Sequence, residues 1–179
     1  MSSDHRGPLW AVSPLDGRYA GATEPLVPYA SEAGLMRARV RVEAEYLLAL
    51  ADLEATPVSL AGGDRALLRG LYEEFDETDA ERIKRIETDG TERHAATNHD
   101  VKAVEYFVRD ALDDAGREDL SPWVHFALTS NDVNNLAHRL LLKPAVEEVL
   151  VPELRGVRDD LADLAREYRD TPMLARTHG

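Results

Sequence analysis

Helical periodicity is the feature that most limits how this 179-residue chain can fold. Between Ser31 and about Leu53, apolar residues recur three or four positions apart, which places them on one face of a helix. Similar spacing returns in most later segments, and none shows the two-residue alternation that is typical of a strand. The sequence therefore predicts an all-α fold.

Breaks in this pattern predict where the next helices begin. Gly62-Gly63 interrupts the chain, and Asp64 is placed to cap a second helix. A third, short helix is expected to start at Asp79. The polar stretch 88–97 contains a glycine and is predicted to be a loop.

The middle of the chain is expected to hold two further helices. Thr97 or Asn98 opens the first of them, and Gly116 ends it. Pro122 suits the first turn of the second, a short helix over Trp123–Leu128, because a proline there has no intrahelical bond to lose.

Two prolines divide the last part of the pattern. Periodicity resumes at Val133 and extends past Pro144, where we expect a kink because proline has no amide hydrogen. Pro152 is predicted to begin the final helix, which ends near Tyr168 before Thr171-Pro172.

The long final helix also predicts the domain organisation. A helix of this length normally packs in a bundle, and no partner or closing element follows it. We therefore expect the N-terminal part of a longer protein. Residues 1–128 would form an N-terminal helical domain, and residues 129–179 would begin a central helical-bundle domain.

Composition excludes several classes of function. The formal net charge is −13 at pH 7, so the chain lacks the basic surface that nucleic acids and anionic membranes attract. No apolar run approaches the ~20 residues that cross a bilayer, and no secretory signal core follows the N-terminus. Cysteine is absent, which excludes disulfides and favours the cytoplasm. The acid excess fits a solvated surface or adaptation to high salt.

Four polar segments interrupt the helical pattern, and the first is Ser13–Tyr19. The guanidinium of Arg18 can donate two parallel hydrogen bonds to two oxygens of a phosphate or carboxylate, and Tyr19 adds a hydroxyl. The alternative is an ordinary turn with a solvated arginine.

The second segment, Thr97–Lys102, contains Asn98, His99 and Asp100. It lies at an expected helix N-terminus, where free N–H groups favour an anion. Asp100 beside His99 is placed to orient the imidazole and raise its pKa. The alternative is a helix cap with an exposed histidine.

The third segment runs from Thr129 and Ser130 to Asn134-Asn135. Its hydroxyls and amides suit a carboxylate that must be bound without being protonated. Capping accounts for only one of these polar residues. The two interpretations remain open.

The fourth segment is Arg176–Gly179, which contains His178. A single histidine is a weak signal by itself. No glycine-rich phosphate loop, zinc-type histidine pair or nucleophile elbow occurs in the sequence. His94 and His99 are five residues apart and would not share a helix face, so no metal site is expected.

Taken together, the four segments resemble the adenylosuccinate lyase family of the fumarase/aspartase superfamily. The resemblance covers essentially the whole chain and rests on SPLDGRY, TNHDVKAVEYF, HFALTSNDVNN and YRDTPMLARTHG. The first two motifs are specific to the family, whereas the last two are shared more widely in the superfamily. The resemblance favours the functional interpretation of each segment and places the bundle domain in the fumarase/aspartase class.

This resemblance implies a homotetrameric enzyme without a metal or organic cofactor. It would release fumarate from adenylosuccinate, giving AMP, and from the succinyl-carboxamide ribotide of purine synthesis. Arg18 and Tyr19 would hold the substrate phosphate, and the Asn98–Asp100 segment would line the nucleotide and succinyl site. Thr129 and Ser130 would bind a succinyl carboxylate.

The resemblance also implies which group moves protons. His178 would be the general acid, since imidazole titrates near the working pH. The general base would be a serine on a mobile loop further along, so the 179 residues alone are expected to be inactive. The stretch 88–96 is longer than the family pattern.

Two competing interpretations remain. An argininosuccinate lyase or fumarase would share the looser motifs but should lack SPLDGRY. A non-enzymatic helical interaction module should lack a coherent set of polar segments.

Overall fold

The computed structural model describes residues 10–174, and every regular element within them is helical. The predicted all-α class is therefore confirmed for this part of the chain. Its α-helices are α1 (Ala20–Thr23), α2 (Val27–Ala30), α3 (Glu32–Ala51), α4 (Asp64–Glu73), α5 (Glu77–Thr88), α6 (Asp100–Asp114), α7 (Ser130–Pro144) and α8 (Val151–Tyr168). Single 3₁₀ turns span Glu24–Leu26 and Ser121–Trp123, and a π-helical segment, Ala145–Leu150, joins α7 to α8.

Helix α3 is the central element of the fold. Its N-cap is Ser31, whose hydroxyl oxygen accepts a hydrogen bond from the amide of Gly34 at 3.0 Å, as serine often does at a helix start. Helices α4, α5 and α6 pack around its C-terminal half. Together they form the main core, in which Leu47, Leu68 and Phe107 are almost completely buried.

A second apolar cluster lies at the other end of α3. It joins Ala38 and Val42 of α3 to Val101 at the start of α6, and to Val133 and Ala137 of α7. Each of these side chains is at most 6% exposed. The cluster packs the first turns of α6 and α7 against the same side of α3, and these turns carry two of the four polar segments.

Two helix starts differ from their predictions. Gly63, with φ of 102°, is the N-cap of α4, while Asp64 is its first residue. The Asp64 carboxylate accepts from the amide of Ala61 at 2.6 Å instead. Helix α5 begins before Asp79, because Asp76 is the cap and exchanges side-chain–backbone hydrogen bonds of 3.1 and 3.2 Å with Asp79.

The predicted helix Trp123–Leu128 is wrong. Only the single 3₁₀ turn ending at Trp123 forms, and His125 and Ala127 then adopt φ of 62° and 58°. Those left-handed values cannot continue a right-handed helix. The chain before α7 is therefore an irregular connection.

Pro144 and Pro152 change the helix without interrupting it. Pro144 is the last residue of α7, and the π-helical segment that follows widens the turn, which accommodates the missing amide donor. Pro152 lies in the first turn of α8 as predicted, but the residues before it keep right-handed helical angles. Residues 130–168 consequently follow one long helical path.

Helix α8 and the residue before it expose an apolar stripe whose members are spaced alternately four and three positions apart. Between 43% and 69% of each side chain is exposed in the set Leu150, Leu154, Val157, Leu161, Leu164 and Tyr168. This repeat is the pattern by which long helices pack side by side. None of the helices in residues 10–174 has the length and hydropathy to span a membrane.

Candidate active site

His99 caps helix α6, a position that the sequence assigned to Thr97 or Asn98. Its Nδ1 accepts a hydrogen bond from the amide of Lys102 at 3.3 Å. The acceptor role of Nδ1 puts the proton of the neutral ring on Nε2. About half of the His99 side chain is exposed. The ring can therefore offer a donor to a ligand at this helix N-terminus.

The residues before His99 are fixed against the end of α5. The amide of Thr97 donates to the carbonyl of Ile86 at 3.1 Å, and that of Asn98 donates to the carbonyl of Glu87 at 2.9 Å. Asn98 has φ of 47°, a left-handed value that asparagine tolerates better than most residues. The Asn98 side chain is exposed where the chain turns into α6.

Asp100 is bound more closely to Arg39 than to His99. One carboxylate oxygen lies 2.6 Å from a guanidinium nitrogen of Arg39, and the other accepts from the amide of Val101 at 2.9 Å. Burial opposes ionisation, but that amide and the guanidinium outweigh it and lower the pKa of Asp100 below 3.8. Its separation from His99 Nδ1 is 3.6 Å, too long for a hydrogen bond. The structure therefore shows no hydrogen bond by which Asp100 would orient the imidazole.

Arg39 joins the second and third polar segments, and sequence reasoning missed it. Its side chain reaches Asp100 at the start of α6, while its Nε donates to Oδ1 of Asn134 in α7 at 2.9 Å. Arg39 is only 6% exposed. The one available signal was a charged residue on the apolar face of α3, between Ala38 and Val42.

Thr129 caps α7 through a reciprocal arrangement with Asp132. Its amide and its hydroxyl each donate to Oδ2 of Asp132 at 2.8 Å, and these bonds lower the pKa of Asp132. Capping therefore accounts for Thr129 in this structure. Ser130 is the first residue of α7 and is half-buried.

A second buried ionisable residue of α3 lies one turn after Arg39. Glu43 is completely buried, and its Oε1 lies 2.6 Å from Nδ1 of His125. His125 belongs to the connection that leads into α7 and is 17% exposed. Sequence reasoning assigned neither residue a role, although His125 opens the third motif.

Arg18 and Tyr19 lie apart from these helix starts. Both are exposed, and the guanidinium carbon of Arg18 lies 5.3 Å from the centroid of the Tyr19 ring. The turn is closed by the amide of Tyr19, which donates to the carbonyl of Pro14 at 2.8 Å. Within residues 10–174, no hydrogen bond or ion pair links Arg18 or Tyr19 to α6 or α7. The predicted general acid, His178, lies outside the described residues.

His94 belongs to the loop before the candidate site and has a structural environment. Its Nε2 lies 2.7 Å from Asp110, and its ring stacks on Tyr106 with centroids 4.3 Å apart. In the part of the chain that the structure describes, no cluster of histidine and carboxylate side chains could hold a metal ion.

Comparison with known proteins identifies related chains. The family model described as "Lyase" matches residues 17–179. An adenylosuccinate lyase of Haemophilus influenzae is 44% identical over 176 residues, and that of Escherichia coli K12 is 44% identical over 174. One from Dictyostelium discoideum is 41% identical over 177 residues.

Each alignment covers 96% of this chain but only 36–37% of the relative. The chain thus spans little more than a third of the length of these relatives. Its all-helical architecture agrees with the fumarase/aspartase type of fold. Because the family model covers nearly all of its residues, the chain belongs to the lyase family.

Proposed function

We propose that these residues are part of an adenylosuccinate lyase. The protein would eliminate fumarate from adenylosuccinate, leaving AMP, and from the succinyl-carboxamide ribotide of purine synthesis. The observation that carries the proposal is the match to adenylosuccinate lyases over 96% of the chain. The link between Asp100 and Asn134 through Arg39 supports it, because it brings two of the motif segments together.

The helix starts of α6 and α7 would bind the succinyl part of the substrate. Removing a proton next to a carboxylate builds negative charge, which must be stabilised by preorganised donors. His99 offers Nε2–H, and Ser130 adds a hydroxyl at a helix N-terminus, where the macrodipole favours an anion. The Thr129 hydroxyl would give up its hydrogen bond to Asp132 and donate to the ligand instead. Asn98 and Asp100 would line the same site.

Groups outside this cluster would complete the chemistry. Arg18 and Tyr19 would hold the phosphate, since a guanidinium matches its oxygens in pairs. His178 would protonate the leaving nitrogen as the general acid. Neither an organic cofactor nor a metal is invoked, because charge stabilisation and proton transfer account for the elimination.

The site would be completed by other parts of the assembled protein. His99 and Asp100 are each about half exposed in the described residues, whereas oxyanion stabilisation is strongest where water is excluded. The exposed stripe on α8 supports packing in a long-helix bundle that begins near residue 129. We include a homotetramer in the cytoplasm in this proposal, with a nucleotide substrate and neither nucleic acid nor membrane as partner.

A panel of substrates tests the proposal. Purified full-length protein is incubated separately with adenylosuccinate, argininosuccinate and malate, and fumarate is quantified. We expect fumarate from adenylosuccinate alone. Release from argininosuccinate or malate would identify another member of the superfamily, and no release from any of the three would favour a non-enzymatic role.

A further inference from the structure

We propose that Arg39 is a positioning residue for the lyase reaction, because its buried guanidinium fixes the start of α6 relative to the start of α7. The inference rests on the proposed function for its role in turnover. The contacts of Arg39 themselves stand independently of any substrate. Arg39 would touch neither the substrate nor the reacting atoms and would act through the two helix starts.

The two hydrogen bonds of Arg39 use different faces of one rigid group. A terminal nitrogen lies 2.6 Å from Oδ2 of Asp100, and Nε lies 2.9 Å from Oδ1 of Asn134. The guanidinium is planar, so the directions of its N–H groups are fixed relative to each other. A side chain that is 6% exposed has little freedom to turn. The two acceptors are therefore held at a defined separation.

Each acceptor is adjacent to a proposed ligand-binding residue. Asp100 directly follows His99 and also accepts from the amide of Val101, so it anchors the first turn of α6. Asn134 lies four residues after Ser130, one turn along the same face of α7. A shift of either acceptor would change the distance between His99 and Ser130.

Lysine cannot reproduce this arrangement. Its ammonium keeps the positive charge that Asp100 requires, but it is a point charge on a flexible stem and has no second donor that corresponds to Nε. Arg39→Lys therefore retains the ion pair with Asp100 while removing the bond to Asn134. A displacement of about 1 Å in a catalytic site can reduce the rate by about 10²-fold.

The kinetic test compares Arg39→Lys with Arg65→Lys in the full-length protein. Arg65 pairs with Asp52 on the surface, where both side chains are about half exposed or more. We expect Arg39→Lys to lower kcat by about 10²-fold with little change in KM. The displaced groups would slow the chemical step, while ground-state binding of the substrate would change little. Arg65→Lys should keep the wild-type kcat.

A double-mutant cycle separates positioning from general damage to the core. Asn134→Leu removes the acceptor while keeping the side-chain volume similar. If the Arg39–Asn134 bond carries the effect, Asn134→Leu alone should reduce kcat to a similar degree, and the double variant should lose little more. Fully additive losses would overturn the inference.

Hydrogen–deuterium exchange supplies a readout that needs no substrate. In Arg39→Lys, peptides covering residues 97–103 and 129–135 should exchange faster together, whereas α4 should be unchanged. Unchanged exchange at either helix start would overturn the inference, and so would faster exchange with normal kcat. If the wild-type protein does not cleave adenylosuccinate, the proposed function fails, and the exchange data still decide whether Arg39 joins the helix starts.

Discussion

Oε1 of Glu43 lies 2.6 Å from Nδ1 of His125, joining α3 to the connection before α7 across 82 residues of sequence. Glu43 is fully buried, and its Oε2 has no hydrogen-bond partner in the described part of the chain. Burial raises the pKa of Glu43 above its ordinary value of 4.5, although the imidazole of His125 opposes the shift. The fold therefore disfavours the charged form of this residue.

Glu45, two residues later, has a pKa shifted in the opposite direction. Its hydrogen bonds with Arg69 and then Tyr72 lower the pKa of Glu45 below 4.5. Glu45 therefore contributes stability above pH 4.5 that is lost as the pH falls through the folded pKa. Glu43 contributes stability below pH 4.5 that is lost as the pH rises through its raised folded pKa.

Glutamine substitutions should reveal these opposite signs in the full-length protein. Relative to the wild type, Glu43→Gln should gain unfolding free energy as the pH rises over about 3.5 to 7, because glutamine cannot ionise. Glu45→Gln should lose unfolding free energy relative to the wild type as the pH rises. Urea unfolding across a pH series measures both. Parallel trends in the two variants would contradict the account of Glu43.

Local patterns in the sequence predict the helices, whereas contacts between distant residues cannot be predicted from them. Periodicity predicts α3 and α6 correctly because burial on one face is a local, repeated signal. It misses Arg39 and Glu43 because their partners lie 61 to 95 residues away in sequence. An ionisable residue on an apolar helix face indicates a polar partner without identifying it.

Local geometry accounts for the remaining errors. Trp123–Leu128 has no helix-breaking residue, yet His125 adopts a positive φ and its ring contacts Glu43, which is distant in sequence. The cap of α6 lies one or two residues after the predicted position, because an imidazole nitrogen of His99 accepts the amide hydrogen bond usually taken by Thr or Asn. Neither effect is visible in residue type alone.

Gly34 should be intolerant of a side chain. A Cβ there would lie 2.5 Å from the carbonyl oxygen of Pro28, where α2 packs against the first turn of α3. Gly34→Ala should lower the unfolding free energy by about 1–3 kcal/mol, since the clash outweighs the better helix propensity of alanine. Gly70→Ala is the control, because a Cβ at Gly70 meets nothing within 4 Å. It should stabilise α4 by about 0.5–1 kcal/mol, and equal effects of the two substitutions would contradict this packing.

Arg18→Ala should weaken binding of the phosphorylated substrate. A hydrogen bond to a charged group contributes about 1.5–3 kcal/mol, so KM should rise by roughly 10- to 100-fold with a smaller change in kcat. Steady-state kinetics with adenylosuccinate measure both constants, with Arg65→Ala as a surface control. A wild-type KM in Arg18→Ala would show that Arg18 does not hold the phosphate.

His178→Ala should abolish most of the turnover while leaving binding intact. Loss of a general acid typically lowers kcat by about 10²–10⁴-fold. Oligomeric state, substrate affinity and turnover are compared with the wild type across a pH series. An intact assembly that binds substrate but barely turns over supports the acid role. Near-normal turnover in that assembly would remove the assignment.

The most direct test of the account is the joint quantification of AMP and fumarate during incubation of the full-length protein with adenylosuccinate. A β-elimination gives the two products in equal amounts, and catalysis gives many equivalents per subunit. We expect both results, with no loss of the phosphate from the nucleotide. An absence of fumarate, or AMP released without an equal amount of fumarate, would contradict it.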